Sequence, residues 1–186
     1  EVWLTPHDDP KRKLQWTWQI ASADGVRVGI NTALPNALVA HAIEHGVLPT
    51  LRGYREHKTE VRYGQERSRI DVHLSDHPDD KRPCFVEVKS VTLVEGGVAM
   101  FPDAVSARGL KHLRELSRVV EEGGRAVMLY VVQRADGDAF GPAAHIDPDY
   151  AAGLITARQV GVESLAVRAR VTPEGIGLAN SLLSWT

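Results

Sequence analysis

One cysteine, Cys84, stands in 186 residues, so an intramolecular disulfide is excluded and a reducing, cytoplasmic setting is expected. No apolar run approaches the ~20 residues that a membrane-spanning helix needs, and no signal-peptide pattern opens the chain. No membrane partner is therefore expected. A phosphate-binding P-loop, a dinucleotide fingerprint and a Gly-x-Ser-x-Gly elbow are all missing, which removes three large enzyme classes. Eight histidines are present, but no His-x-His or His-x-x-x-His pair is read among them, and a zinc site is not expected. Charge of either sign is not in excess: 22 Lys and Arg face 24 Asp and Glu, a formal net charge of −2. A uniformly basic nucleic-acid binder is thus excluded, and any surface for a polyanion has to be local. Repeats and low-complexity stretches are absent too. The chain opens on Glu1, not Met, and is expected to be a fragment or an incompletely covered chain.

What remains is ordinary globular material, 43% hydrophobic and 25% charged, enough for one full core and a small satellite. Short runs rich in β-branched and aromatic residues (2–4, 14–21 and 26–30) predict three strands separated by turns at 6–10 and 23–25. Three strands bury both faces poorly, so a partner is expected for them. Lys11-Arg12-Lys13 lies at the tip of the first turn, either as a solvated hairpin end or as a contact for phosphates. From residue 36 the pattern reads helix (36–45), three strands (56–63, 68–74, 84–90), a long helix (103–122), a nearly continuous apolar strand (125–133), a helix from Asp147-Pro148 to Gly161, and a strand at 162–171. Short connections make the first three strands an antiparallel meander. The long helix returns the chain parallel to the third of them. The expected fold is an α/β sandwich on a mixed sheet.

Parity then gathers the polar residues. If Tyr63 faces Ser68, then Glu60 faces Asp71; if Leu74 faces Cys84, then Asp71 faces Glu87. Val61, Ile70, Val72, Leu74, Cys84, Val86 and Val88 would share one face, and Glu60, Asp71, Glu87 and Lys89 the other. Carboxylates abreast repel by a few tenths to ~1 kcal/mol per pair. A divalent cation with oxygen ligands, magnesium or manganese, would relieve them, and Lys89 would steady an attacking water or the charge of a phosphate. The competing reading is a solvated face neutralised by Arg62, Arg69 and Lys89. Arg108, Lys111, His112 and Glu115 fall on the polar side of the long helix, exposed or turned toward DNA phosphates or the site.

The runs Glu60-Val61-Arg62-Tyr63-Gly64, Glu66-Arg67-Ser68-Arg69-Ile70-Asp71, Phe85-Val86-Glu87-Val88-Lys89-Ser90-Val91-Thr92-Leu93, Phe101-Pro102-Asp103-Ala104-Val105 and Lys111-His112-Leu113-Arg114-Glu115-Leu116 resemble the sugar fermentation stimulation protein A family. The resemblance implies an oligonucleotide-binding (OB-like) barrel over 1–31, incomplete at its N-terminus, before a restriction-endonuclease-like PD-(D/E)xK domain over 32–186. It implies DNA binding without sequence preference in a prokaryotic cytoplasm. Asp71 would be the lone acid, Glu87 and Lys89 the acid-x-lysine pair, and Glu60 an accessory acid. Family members often carry a glutamate on the first helix where this chain has His41, so His41 or Glu44 would complete the metal ligands. Lys11, Arg12, Lys13 and Trp16 would serve the barrel's DNA groove, with Arg108 and Lys111 beside the nuclease site; Trp16 and Trp18 would equally suit a core. The expected activity is metal-dependent DNA cleavage. The alternative is a non-catalytic DNA-binding regulator of sugar, notably maltose, metabolism, with room for a homo-oligomer in either case.

Overall fold

The structure, a computed structural model, describes residues 1–65 and 68–186. Glu66 and Arg67, part of the expected hairpin turn and of one resemblance run, lie outside the described residues. In chain order the strands are β1 (Val2–Pro6), β2 (Trp16–Ala23), β3 (Val26–Gly29), β4 (Glu56–Tyr63), β5 (Ser68–Ser75), β6 (Cys84–Val91), β7 (Leu93–Glu95), β8 (Val98–Phe101), β9 (Arg125–Val132), β10 (Ala139–Pro142), β11 (Glu163–Thr172), β12 (Gly175–Leu182) and β13 (Ser184–Trp185). The helices are α1 (Leu34–Glu44), α2 (Ala107–Glu121) and α3 (Pro148–Val160).

The central sheet has six strands in the order β12-β11-β9-β6-β5-β4. β4, β5 and β6 form the expected antiparallel meander, and β9 runs parallel to β6 on one side and to β11 on the other. This is a mixed-sheet, restriction-endonuclease-like α/β fold. β1, β2 and β3 form a separate antiparallel sheet, the OB-like part, joined to the rest where the Gly29 amide donates to the Gln133 carbonyl at 2.9 Å.

β9 explains how the layers form. Its side chains alternate between two cores: Ala126, Met128, Tyr130 and Val132 pack with Leu113, Leu116 and Val119 of α2 and Tyr150, Leu154 and Ala157 of α3. Val127, Leu129 and Val131 pack instead with Val39 and Ala42 of α1 and with Val72, Leu74, Cys84, Val86 and Val88. A strand covered on both faces has no place for polar residues, which is why 125–133 reads as a continuous apolar run.

The long helix begins four residues later than its apolar pattern suggests. Ser106 caps it by accepting the Gly109 amide at 3.0 Å. Ser106 is itself held, its amide donating to Asp147 Oδ2 at 2.7 Å, while Asp147 Oδ1 caps α3 through the Tyr150 amide at 2.9 Å. One buried carboxylate therefore fixes the starts of both helices above the sheet. The hairpin β7–β8 and the strands β10, β12 and β13 are not anticipated by the sequence reading. They are short or irregular: β10 is Ala-Phe-Gly-Pro, and β12 carries Gly175 and Gly177.

Asp147→Ala is expected to lower unfolding free energy by about 2–3 kcal/mol in a urea titration, since it frees two helix-start amides at once, against about 1 kcal/mol for Ser106→Ala. Equal losses for the two variants would contradict the shared clamp.

Candidate active site

The site forms where the β5–β6 ladder opens. The strands pair at Leu74↔Cys84, His73↔Phe85 and Val72↔Val86, the expected register. Continued by one residue, that register sets Asp71 opposite Glu87. There the Asp71 side chain takes the place of a backbone acceptor, receiving the Val88 amide on Oδ2 at 2.7 Å. Its other oxygen, Oδ1, accepts from Asn36 Nδ2 in the first turn of α1, also at 2.7 Å. On the far side, β4 pairs with β5 through Thr59↔Val72 and Val61↔Ile70, which leaves Glu60 across from Asp71.

Glu60 adopts a left-handed backbone, φ +56°, costly for a residue with a side chain. Strand alternation does not survive this point. Val72, Leu74, Cys84, Val86 and Val88 share one face as expected, packed with α1, but Ile70 is buried in the α2 and α3 core with Val61 and Tyr63 packed beside it. The single apolar face expected from parity is thus divided in two at Glu60 and Asp71.

Glu87 lies under α2, 2% exposed. Its Oε1 accepts from Lys89 Nζ at 2.7 Å and meets His112 Nδ1 in a very short contact. Arg108 Nε donates to His112 Nε2 at 3.5 Å. An acceptor at Nε2 leaves the ring proton on Nδ1, directed at Glu87. Burial alone would raise the Glu87 carboxyl, but His112 and Lys89 together hold it below the usual range. Both partners crowd Oε1. The second oxygen, Oε2, is buried with no hydrogen-bond partner among the described residues.

Asp71 shows the opposite balance. Burial, then the nearby Glu87 charge, push its carboxyl up to about 6, against the lowering effects of the Val88 amide, Lys89 and Asn36. Tyr63, whose hydroxyl is buried without a hydrogen-bond partner among the described residues, is pushed up as well, by burial and then by Glu87, Glu115 and Asp71. Two carboxylates, one strained toward its neutral form and one with an orphaned oxygen, are short of positive charge. A hard divalent cation with oxygen ligands fits that deficit, with Asp71 and Glu87 as the residues to hold it.

Asp71 opens into a cleft of about 330 Å³ shared with Glu60, Ser68, Arg69, Arg108, Lys111 and His112. Arg108 and Lys111 therefore stand beside the acids. His112 and Glu115 do not lie on an exposed face, however, being 4% and 0% exposed. Glu115 Oε2 accepts the Gln65 amide at 3.1 Å, and Gly64, at φ +69°, leaves it room where a Cβ would collide. The signal for burial was present: 109, 112, 116 and 119 follow helical spacing and line the covered arc of α2.

His41 and Glu44 are exposed at the other end of α1, grouped with His45. The α1 side chain that reaches Asp71 is Asn36, which the sequence reading did not single out. His41 and His45 do form a His-x-x-x-His pair, contrary to the expectation that the chain has none. Lys11, Arg12 and Lys13 are exposed in the β1–β2 loop, where the Arg12 carbonyl accepts from Gln15 Nε2 at 2.8 Å. Trp16 and Trp18 are 55% and 49% exposed, so neither is a core residue.

Fold and site together define a restriction-endonuclease-like domain carrying an acid, a spaced acid-x-lysine pair and an adjoining OB-like sheet. Residues 33–175 match the model of the sugar fermentation stimulation protein RE domain, and the chain belongs to that family. It is 55% identical over 181 residues to the sugar fermentation stimulation protein homolog of Geobacter metallireducens, covering 97% of this chain and 77% of that protein. The homolog from Thermosynechococcus vestitus is 48% identical over 187 residues, covering 98% and 77%. The solved structure of Pyrococcus furiosus SfsA in complex with Ca2+ superposes with a TM-score of 0.88 at 30% identity, covering 100% of this chain and 77% of that one.

Because the folded chain favours the neutral Asp71, this group adds stability that is present below the ordinary carboxyl value of 3.8 and lost as pH rises through about 6. Carboxyl NMR with a chelator is expected to show Asp71 titrating near 6, and added magnesium to lower that midpoint. A midpoint at the ordinary value without metal would contradict the burial described.

Proposed function

We propose that this chain binds DNA without sequence preference and hydrolyses phosphodiester bonds with magnesium or manganese, in a cytoplasmic setting. The observation that carries the reading is the unpartnered Glu87 Oε2 beside an Asp71 raised by burial and by Glu87 itself. Pyrococcus furiosus SfsA was solved with Ca2+, another hard cation that takes oxygen ligands. Asp71 and Glu87 would hold the ion, with Glu60 as an accessory acid at the cleft. Once bound, a divalent ion supplies Lewis acidity and a more acidic water.

The chain's own residues do the rest. Lys89, fixed at 2.7 Å from Glu87 Oε1, has two further N–H groups to orient an attacking water or to stabilise charge on the phosphate. His112 keeps Glu87 ionised and in place. Asn36 fixes the rotation of the Asp71 carboxylate. Arg62 and Arg69 face each other across β4 and β5, an arrangement that repels unless an anion lies over it. With Arg108 and Lys111 they offer a local cationic track on a chain whose formal net charge is −2. Exposed Trp16 and Trp18 provide stacking surfaces for unpaired bases near the basic loop at Lys11, Arg12 and Lys13.

Incubation with single- and double-stranded DNA and magnesium, manganese or a chelator reads binding and cutting together. Cleavage is expected only with a metal, and to fall by about 100-fold or more in Asp71→Ala and in Lys89→Ala. DNA retention is expected to persist in both variants and to weaken steeply with salt. Unchanged cleavage in both variants would reject the site. Retention with no cleavage under any metal would favour a DNA-binding regulator that uses the nuclease fold without turnover, in line with the sugar fermentation stimulation name its relatives carry.

A further inference from the structure

The last turn of α1 and the residue after it carry His41, Glu44 and His45, all exposed, with donor atoms within 4.8 Å of one another. The spacing places the three at i, i+3 and i+4, on one helical face. Five residues separate His41 from Asn36, the α1 residue bonded to Asp71. That is about 7 Å of rise and roughly 140° of rotation, so the cluster points away from the acidic site.

Two features prepare the cluster for an ion. First, His45 Nδ1 lies 2.9 Å from the His41 carbonyl oxygen. A carbonyl only accepts, so the neutral ring carries its proton on Nδ1 and leaves the Nε2 lone pair free. A backbone carbonyl holding the far ring nitrogen is the arrangement that orients metal-binding histidines generally. Second, the backbone beyond His45 is fixed. Gly46 turns at φ +63°, the Val47 amide returns to the Ala42 carbonyl at 2.7 Å, and Arg52 Nε donates to the Gly46 carbonyl at 2.6 Å. The two imidazoles are already adjacent, their centroids 4.0 Å apart and their planes tilted by 36°.

The geometry points to a second metal site, formed by His41, Glu44 and His45, for a divalent transition ion of the zinc class. Two imidazoles and one carboxylate suit zinc, cobalt or nickel, whereas the all-oxygen pair Asp71 and Glu87 suits magnesium or manganese. Three protein donors on an exposed face leave the fourth tetrahedral position to water or to a donor from another molecule. The sites differ in both chemistry and place, so this one stands whether or not the chain cuts DNA.

Calorimetric titration of the chain with zinc, in excess magnesium, tests it with the variants His41→Gln, His45→Gln and Asp71→Ala. Glutamine keeps helix propensity, and unchanged circular dichroism in each variant separates ligation from folding. The expected result is saturable zinc binding that survives in Asp71→Ala and weakens by about tenfold or more in each histidine variant. Cobalt(II) added to the wild-type chain should broaden the His41 and His45 ring signals before those of His112. The proposal is overturned if the wild-type chain shows no saturable binding, if both histidine variants bind as tightly as it does, or if binding is lost in Asp71→Ala.

Discussion

The hydrogen bond from the Val88 amide to the Asp71 carboxylate is the interaction on which the site depends. Between two paired strands that amide would find a backbone carbonyl. Here the ladder ends at Val72↔Val86, and a side chain takes over. An acid at position 71 therefore satisfies a buried backbone donor and is at once drawn in beside Glu87. Loss of the acid would strand the Val88 amide. Stability and chemistry are coupled at a single atom, Oδ2.

Around that bond the surrounding elements act in opposition. α1 lowers the cost of the Asp71 charge through Asn36, and α2 lowers the cost of the Glu87 charge through His112, with Lys89 beneath both. The two helices approach from opposite faces of the sheet, and the site lies where the open ladder lets them meet. Asp147 sets α2 in place by joining its start to that of α3, and Glu115 ties α2 to the β4–β5 turn. The compensation remains incomplete: one Glu87 oxygen has no hydrogen-bond partner among the described residues, and Glu60 sits in a left-handed backbone. Departures of this kind persist where function selects them.

Much of this was legible in the sequence because period-two alternation carries register. Tyr63↔Ser68 and Leu74↔Cys84 follow from hydrophobic parity alone and place Glu60, Asp71 and Glu87 level with one another. The same rule fails at Ile70, because it assumes an unbroken pleat and the backbone turns at Glu60. Asn36 was not legible: a neutral amide in a first helical turn looks like any solvated residue until its partner, 35 positions away, is known. His112 was hidden by composition. Arg108, Lys111, His112 and Glu115 look polar as a group, yet the arc that α2 buries runs through two of them. The later strands β10, β12 and β13 are specified by what they pack against more than by their own pattern.

The proposed cleavage requires a cation shared by Asp71 and Glu87. The most direct measurement is a crystal structure of the chain with manganese bound, its position read from anomalous scattering. The expected result is a peak within coordinating distance of Asp71 and of Glu87 Oε2, with Lys89 still paired to Oε1. A peak confined to other residues, with Glu87 Oε2 still unpartnered at saturating manganese, would contradict it.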